Sequence, residues 1–412
     1  MTSGSETDGR VEAGDASSFD SVCEPPRAKA DYPGALDGVR VVDLTTVLMG
    51  PFACRMLADH GADVIRIEDP ASEAYRTEQE FDALTSISLN IHRNKRRVGL
   101  DLKSPAGATA ARAIIDSADV VVSNMRAAAL ERLGIDAATL RAGHPELIHC
   151  VANGYGADGP HANRPAYDDA IQALSGLAAM QARLFGEPMY LPSAMVDKVL
   201  SLHIVQAVMA ALLHQRATGE GQTIQVPMFE TMVAFNLVEH LRGAAFEPPR
   251  SEVGYDRVLN PARRPYRCAD GEYVCLLPYA TSQWRSFFDL VGQPELVDDP
   301  RFATHNARMQ NVDDLYGFVA EMALLHSAAE WVRLCDERSI PANLVLDLPD
   351  LFDDEHLVAV DLFQLVEHPT EGAYRSIRDA ISYSATSTAL RHHAARPGAH
   401  TAEVLQEFGL AG

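Results

Sequence analysis

From Leu36 onward the chain alternates short apolar runs with amphipathic stretches, the pattern of a parallel α/β sheet. GVRVVDLT reads as a buried strand, MGPFACRMLADHG as a helix entered through Gly-Pro and closed by Gly61, and ADVIRIE as a second strand. Strands joined in this way form a right-handed βαβ unit. The alternation continues with a helix over PAGATAARAIIDSA, a strand over DVVVSN, short helices over AAALERLG and DAATLRAGHP, and a strand over LIHCVANGYG. A long apolar helix is predicted from about Asp197, because Val199, Leu200, His203, Ile204, Ala207, Val208, Ala211 and Leu212 recur at helical spacing. TIQVPM then reads as a strand and FETMVAFNLVEHL as a helix. Residues 36–228 thus form one Rossmann-like layer.

The pattern changes after it. Residues 229–253 link to a second, smaller α+β unit over 254–339, in which RPYRCADGEYVCLLPY predicts a hairpin with Asp270-Gly271 at its turn. Helical stretches carrying Trp284 and Trp331 complete this unit. Residues 340–412 resume strand and helix signals in LVLDL, LFQLVEH and HTAEVLQEFG, and are expected to form a linker and a return to the first layer. Residues 1–35 are polar and acidic with no hydrophobic period, the composition of a disordered tail.

Composition narrows the classes. The 412 residues are 47% hydrophobic, enough for one large core or two. No apolar run is expected to reach the roughly 18 residues of a membrane span. Cys23, Cys54, Cys150, Cys268, Cys275 and Cys335 lack paired short spacing, which points to reduced thiols in a cytoplasmic protein and not to a disulfide frame or a metal site. A net charge of −22 disfavours nucleic acid and anionic membranes, so an anionic ligand needs a local basic pocket. Two of the four lysines, Lys95 and Lys103, fall in NKRRVGLDLK, which is either that place or a solvated basic strand end.

Two positions carry candidate chemistry. The turn from Thr45 to Pro51 follows the first strand, where open parallel sheets bind ligands. It lacks G-x-G-x-x-G, and the chain has no Walker A loop, so a nicotinamide oxidoreductase is disfavoured. The second is Asp197, a lone carboxylate at the mouth of the long apolar helix. It is either an N-cap or a reactive group. With an ordinary pKa of about 3.9 it is ionised at neutral pH, and the N–H groups of Lys198 and Val199 would hold its charge.

Several segments occur together in a telling order: LDGVRVVDLTTVLMGPFACRMLADHGADVIRIEDP, NKRRVGLDLKSPAG, ADVVVSNMRAAALERLG, NGYGADGPHANRPAYDDAIQALSG, VDKVLSLHIVQAVMAALLHQRATGEGQTIQVPMFE, DDPRFATHNAR and HTAEVLQEFG. Through them the chain resembles the family III CoA-transferases of the carnitine and bile-acid type (CaiB/BaiF) from Leu36 to its end. The resemblance implies transfer of coenzyme A from an acyl-CoA to a carboxylic acid, with Asp197 as the covalent nucleophile carrying aspartyl-acyl anhydride and aspartyl-CoA thioester intermediates. Coenzyme A is then substrate and product, and no permanently bound cofactor is expected. Tyr167 matches a tyrosine beside the CoA, and Asp168 an acidic position near the nucleophile that otherwise reads as a helix N-cap. Thr46, Val47, Leu48, Leu100, Lys103, Asn124, Met125 and Arg132 match CoA contacts. The resemblance also implies a large domain built from both chain ends, a small domain between, and an interlocked homodimer.

Departures and alternatives stay open. Asp69 stands where some members have arginine, with Arg66 or Arg76 as replacements, Ser72-Glu73 replaces the usual Gly-Asp, and Ala399 replaces the glutamate of GEHT. Tyr190, Tyr266, Tyr279 and Arg264 are candidates for lining an acyl pocket. An acyl-CoA racemase or an intramolecular CoA-shifting isomerase would share the fold. So would a noncatalytic acyl-CoA binding protein. Racemases of the superfamily carry histidine where this chain has Tyr167, and tyrosine is a poor α-proton base.

Overall fold

The structure, a computed structural model, describes residues 34–80 and 83–410. The expected tail over 1–35 lies outside them apart from Gly34 and Ala35, as does Cys23.

Six strands form one parallel sheet: β1 (Arg40–Asp43), β2 (Asp63–Glu68), β3 (Lys95–Gly99), β4 (Val120–Ser123), β5 (Ile148–Asn153) and β6 (Thr223–Pro227). Their order is β3-β2-β1-β4-β5-β6, so the winding reverses between β1 and β4. Helices cover both faces, which is why the central strands β1 and β4 are mostly apolar, whereas the edge strands β3 (KRRVG) and β6 (TIQVP) are not. Alternate side chains serve opposite cores. Val41, Val64, Val120 and Ile148 pack with helices Met49–Asp59 and Met195–Thr218, while Val42, Ile65, Val98 and Val121 pack with helix Pro105–Ile115.

Helix Met195–Thr218 has the length and hydropathy of a membrane span, contrary to the expectation that no stretch would. Its apolar character has a local cause. Leu200, Ile204, Val208 and Leu212 are buried in the core that the sheet shares with helix Met49–Asp59.

Three antiparallel strands, β7 (Tyr266–Arg267), β8 (Tyr273–Leu276) and β9 (Ala342–Leu344), form a second sheet over a core of Trp284, Phe287, Phe288 and Trp331. The turn between β7 and β8 places Gly271 at φ 91°, a left-handed conformation that favours glycine. The strand predicted at LVLDL forms slightly earlier and pairs with β8, with Leu277 N–H donating to Pro341 O at 3.0 Å. This sheet therefore extends past Ser339, the expected boundary of the small unit. Strands β10 (Phe363–His368) and β11 (Gly372–Ile377) make a separate two-stranded ribbon.

The chain then returns to the edge of the parallel sheet. His400 Nδ1 accepts from Arg97 N–H at 3.0 Å, Thr401 Oγ1 accepts from Gly99 N–H at 2.9 Å, and Val404 is buried beside Val98.

Candidate active site

The reversal between β1 and β4 opens a crevice at the carboxyl ends of the strands. Asn124, just past β4, clasps the loop after β1: its Oδ1 accepts from Thr46 N–H at 3.0 Å and its Nδ2 donates to Thr46 O at 3.0 Å. Val47 follows at φ 68°, a left-handed conformation that is strained for a β-branched residue, and its side chain is exposed. The loop beneath is gripped from below. Asp43 Oδ1 accepts from Thr45 N–H at 2.9 Å and from Thr45 Oγ1 at 2.5 Å, Arg66 donates to Thr45 O at 2.8 Å, and Lys95 Nζ donates to Pro51 O at 2.7 Å.

That grip consumes the basic stretch. Lys95 is fully buried with its ammonium 2.9 Å from Asp43, and Arg97 pairs with Glu68 at 2.7 Å and Glu78 at 3.0 Å. Arg66 reaches Asp43 at 3.2 Å and Glu68 at 2.9 Å. Lys95, Arg96 and Arg97 are thus neither an anion pocket nor a solvated strand end, because β1, β2 and their neighbours present acids to them, while Lys103 at the end of the stretch stays exposed. Burial alone would raise the Asp43 pKa, but Lys95 and Arg66 together hold it far below the usual carboxylate range.

Asp197 sits in the opposite situation. The helix starts at Met195 with Ala194 as its N-cap, so Asp197 is the third helical residue and not a cap. Asp197 is 9% exposed, and among the described residues no hydrogen bond and no cation reaches its carboxylate. Lys198 N–H turns to Ala194 O at 3.3 Å, so the expected grip by first-turn N–H groups is absent. Burial first, and the Asp168 carboxylate second, push the Asp197 pKa up to about 6. The expectation of an ordinary pKa is corrected accordingly.

Asp168 opens helix Asp168–Leu174, with Tyr167 and not Asp168 at its N-cap. Its Oδ2 accepts from Asp197 N–H at 2.9 Å and its Oδ1 from Gln172 Nε2 at 2.6 Å. Gln172 is wholly buried, and its Oε1 accepts from Leu191 N–H at 2.9 Å, tying the chain that leads into the Asp197 helix. Ser201 Oγ donates at 2.7 Å to both Met49 O and Asp197 O, joining this helix to the start of helix Met49–Asp59.

One cavity of about 180 Å³ joins the two regions; Thr46, Val47, Asn124, Tyr167 and Asp197 all line it. Tyr167 is 68% exposed. Asp168 supports Asp197 from behind, and Leu48 caps helix Met49–Asp59 at the rim. Leu100 lies in the core and Met125 packs against it. Lys103 is exposed, 3.9 Å from Asp69, and Arg132 is exposed on helix Ala127–Leu133. Leu48, Leu100, Met125, Lys103 and Arg132 do not line the cavity. Of the acyl-pocket candidates, Tyr266 belongs to the second core, while Tyr190, Tyr279 and Arg264 are exposed away from the lining. Arg66 is committed to Asp43 and Glu68, so it cannot replace the arginine that Asp69 displaces.

Arg126 and Arg164 were missed by sequence reasoning, and both line the cavity with no carboxylate partner among the described residues. Their signal was adjacency: Arg126 follows Asn124 by two residues and Arg164 precedes Tyr167 by three. Gln172 had no comparable signal, since a glutamine inside a helix pattern reads as surface. The site pairs a desolvated carboxylate, Asp197, with a crevice at the switch point of the sheet.

Comparison with known proteins agrees with this chemistry. Residues 36–401 match CoA-transferase family III. The chain is 32% identical over 393 residues to a protein named a probable fatty acyl-CoA transferase of Mycobacterium tuberculosis, covering 88% of this chain and 98% of that one. It is 29% identical over 385 residues to the succinate–glutarate CoA-transferase of Agrobacterium fabrum, covering 90% and 95%. A crystal structure of a CaiB/BaiF family protein from Brucella suis superimposes with a TM-score of 0.76 at 27% identity, covering 91% of this chain and all of that one.

Proposed function

The chain belongs to CoA-transferase family III, and from that premise we propose that it moves coenzyme A from an acyl-CoA to a carboxylic acid through covalent intermediates on Asp197. The observation that carries this reading is a nearly buried carboxylate with no counter-charge among the described residues, facing a cavity that also takes in the loop after β1. An ion pair would quench such a carboxylate, and water would solvate it; here it has neither a cation nor full hydration.

The steps balance without outside energy. Asp197 attacks the thioester carbonyl carbon, a C–O bond forms, the C–S bond breaks, and CoA thiolate leaves a mixed anhydride. The thiolate then attacks the aspartyl carbonyl, expelling the first acid and leaving an aspartyl-CoA thioester. The acceptor carboxylate attacks that thioester and releases thiolate again. Finally the thiolate takes the acceptor acyl group from the new anhydride, which restores Asp197. Each activated form lies near thioester energy, so no nucleoside triphosphate is consumed.

The remaining groups take roles by position. Thr46, Val47 and Asn124 shape the crevice for CoA, and Arg126 beside them meets a phosphate with a forked guanidinium. Tyr167 flanks the reacting carbonyl. Tyr167 lines the cavity where racemases of the superfamily carry histidine, which supports transfer over racemisation. Val238, Leu348 and Leu365 are exposed apolar side chains that suit burial in a homodimer.

Acyl-CoA followed by hydroxylamine should convert Asp197 alone to a hydroxamate, read by peptide mass. Acyl-CoA turnover that leaves Asp197 unmodified would sink the covalent reading. Rapid α-proton exchange of a 2-methylacyl-CoA in deuterated water, with no acceptor present, would favour the racemase reading instead.

A further inference from the structure

Asp197 is held at its backbone by a side chain whose own anchor lies one helical turn away. Asp168 Oδ2 accepts from Asp197 N–H at 2.9 Å, and Asp168 Oδ1 accepts from Gln172 Nε2 at 2.6 Å. Asp168 and Gln172 stand four residues apart on helix Asp168–Leu174, a spacing that brings a carboxylate and a carboxamide together on one face. Lys198, the cation next to the nucleophile in sequence, turns instead to Ser193 Oγ at 2.6 Å. Among the described residues Asp168 is therefore held by two neutral donors and by no cation.

Gln172 is wholly buried, and a buried carboxamide is costly unless its polar atoms are paired. Its Oε1 accepts from Leu191 N–H at 2.9 Å, and its Nε2 also reaches Ser193 O at 3.4 Å. A peptide N–H requires the amide oxygen and a carboxylate requires the amide nitrogen, so these partners fix Gln172 in one orientation. Through them helix Asp168–Leu174 is joined to residues 191–193, which lead into the helix that carries Asp197. Gln172 does not line the cavity, so it reaches the site only through Asp168 and this segment.

The neutrality of this anchor matters. An arginine or lysine in its place would hold Asp168 as firmly, but would cancel the field that Asp168 exerts on Asp197. A carboxamide orients the acid and leaves that field intact. Repulsion between the two carboxylates is relieved when Asp197 gives up its charge to attack the thioester, so a fixed Asp168 favours the transition state over the resting enzyme. Resting on the transferase reading, we infer that Gln172 is a positioning residue for the reaction, its carboxamide holding the Asp168 carboxylate against the Asp197 N–H without neutralising it. Because Gln172 acts on the nucleophile and not on bound CoA, its loss acts on kcat and leaves KM nearly unchanged.

An acid expelled in the first half of the reaction can return by the same steps, so exchange of an isotope-labelled acid into its own CoA ester measures transfer with one acid alone. Full-length protein is to be given octanoyl-CoA with labelled octanoate and succinyl-CoA with labelled succinate, the CoA esters being read by mass and free CoA binding by calorimetry. Gln172→Met removes the donor and the acceptor together, and should lower kcat roughly 10- to 100-fold, the scale of a misplacement of about 1 Å, with KM and CoA affinity within about threefold. Gln172→Glu keeps an acceptor for Leu191 N–H but turns an oxygen toward Asp168, and should lose as much kcat. Combining it with Asp168→Asn restores the same hydrogen bond with its polarity reversed, and should regain at least about tenfold in kcat over Gln172→Glu alone. Should Gln172→Met fail to fold, Gln172→Glu and the reversed pair carry the same test. Parental kcat in Gln172→Glu would overturn the inference, by reducing Gln172 to a support for residues 191–193. A loss confined to KM or CoA affinity, or no gain from the reversed pair, would overturn it as well and leave the transferase reading intact. A parent that forms no aspartyl adduct from either donor would overturn both readings together.

Discussion

Two buried aspartates divide this molecule between structure and chemistry. Asp43 is inaccessible, with Lys95 at 2.9 Å, Arg66 at 3.2 Å and the Thr45 hydroxyl at 2.5 Å. Asp197 is nearly as buried, yet its nearest electrostatic partner is another carboxylate, and its pKa rises to about 6 while that of Asp43 falls. Burial penalises both charges alike; the neighbours decide the outcome. The compensated acid anchors the loop after β1, and the uncompensated one is the carboxylate to which the proposed chemistry is given. Unpaired and poorly solvated carboxylates are costly, which is why they cluster at sites of function.

The largest effect expected from this contrast separates activity from stability. Asp197→Asn should lower CoA transfer by more than about a thousandfold, as loss of a covalent nucleophile does. Asp43→Asn should instead cost about 3–5 kcal/mol of stability, because it leaves Lys95 and Arg66 buried without their shared acid. Denaturant unfolding beside initial rates checks both. If Asp197→Asn unfolded the protein and Asp43→Asn spared it, the two roles would be reversed.

A pH series sharpens the same comparison. The raised pKa of Asp197 means that its contribution to stability is fully present below about pH 4 and lost as the pH rises through about 6. Asp197→Asn should therefore raise the melting temperature at pH 8 relative to the parent and have little such effect at pH 4. Asp43 has the opposite sign: its contribution is present above the ordinary carboxylate range and lost as the pH falls below it. The rate of transfer, which needs the Asp197 carboxylate, should fall off below about pH 6, and Asp168→Asn should move that limb to lower pH. A limb that ignores Asp168 would remove the carboxylate neighbour from the account.

The smallest effects are expected where charge is plainly solvated. Lys103→Ala and Arg132→Ala should each change acyl-CoA affinity by less than about threefold, since exposed charges away from the cavity contribute little. A tenfold loss in either would show that CoA extends well beyond the lining of the cavity.

Much was legible without coordinates. Apolar runs and period-3.6 patterns placed β1, β2, β4, β5 and β6 with the helices between them, while β3, KRRVG, carries no apolar run and read only as a basic stretch. Motif order identified the family and singled out Asp197, Tyr167, Thr46 and Asn124, which meet at one cavity. Charge was misread where its partner lay far away in sequence. Lys95 answers Asp43 across 52 positions, so NKRRVGLDLK looked like a binding patch until the sheet brought β1, β2 and β3 together.

What the sequence by itself determined was most of the elements, their order and the family, because these depend on local periodicity, residue identity and motif order. Tertiary structure alone decided which charges are spent and which remain. It paired Lys95, Arg66 and Arg97 with acids, left Arg126 and Arg164 without them among the described residues, and set Asp168 against Asp197 across 29 positions. The physical reason is that a pKa and an ion pair depend on burial and on distances of a few ångströms, and chain folding creates both from residues that sequence keeps apart.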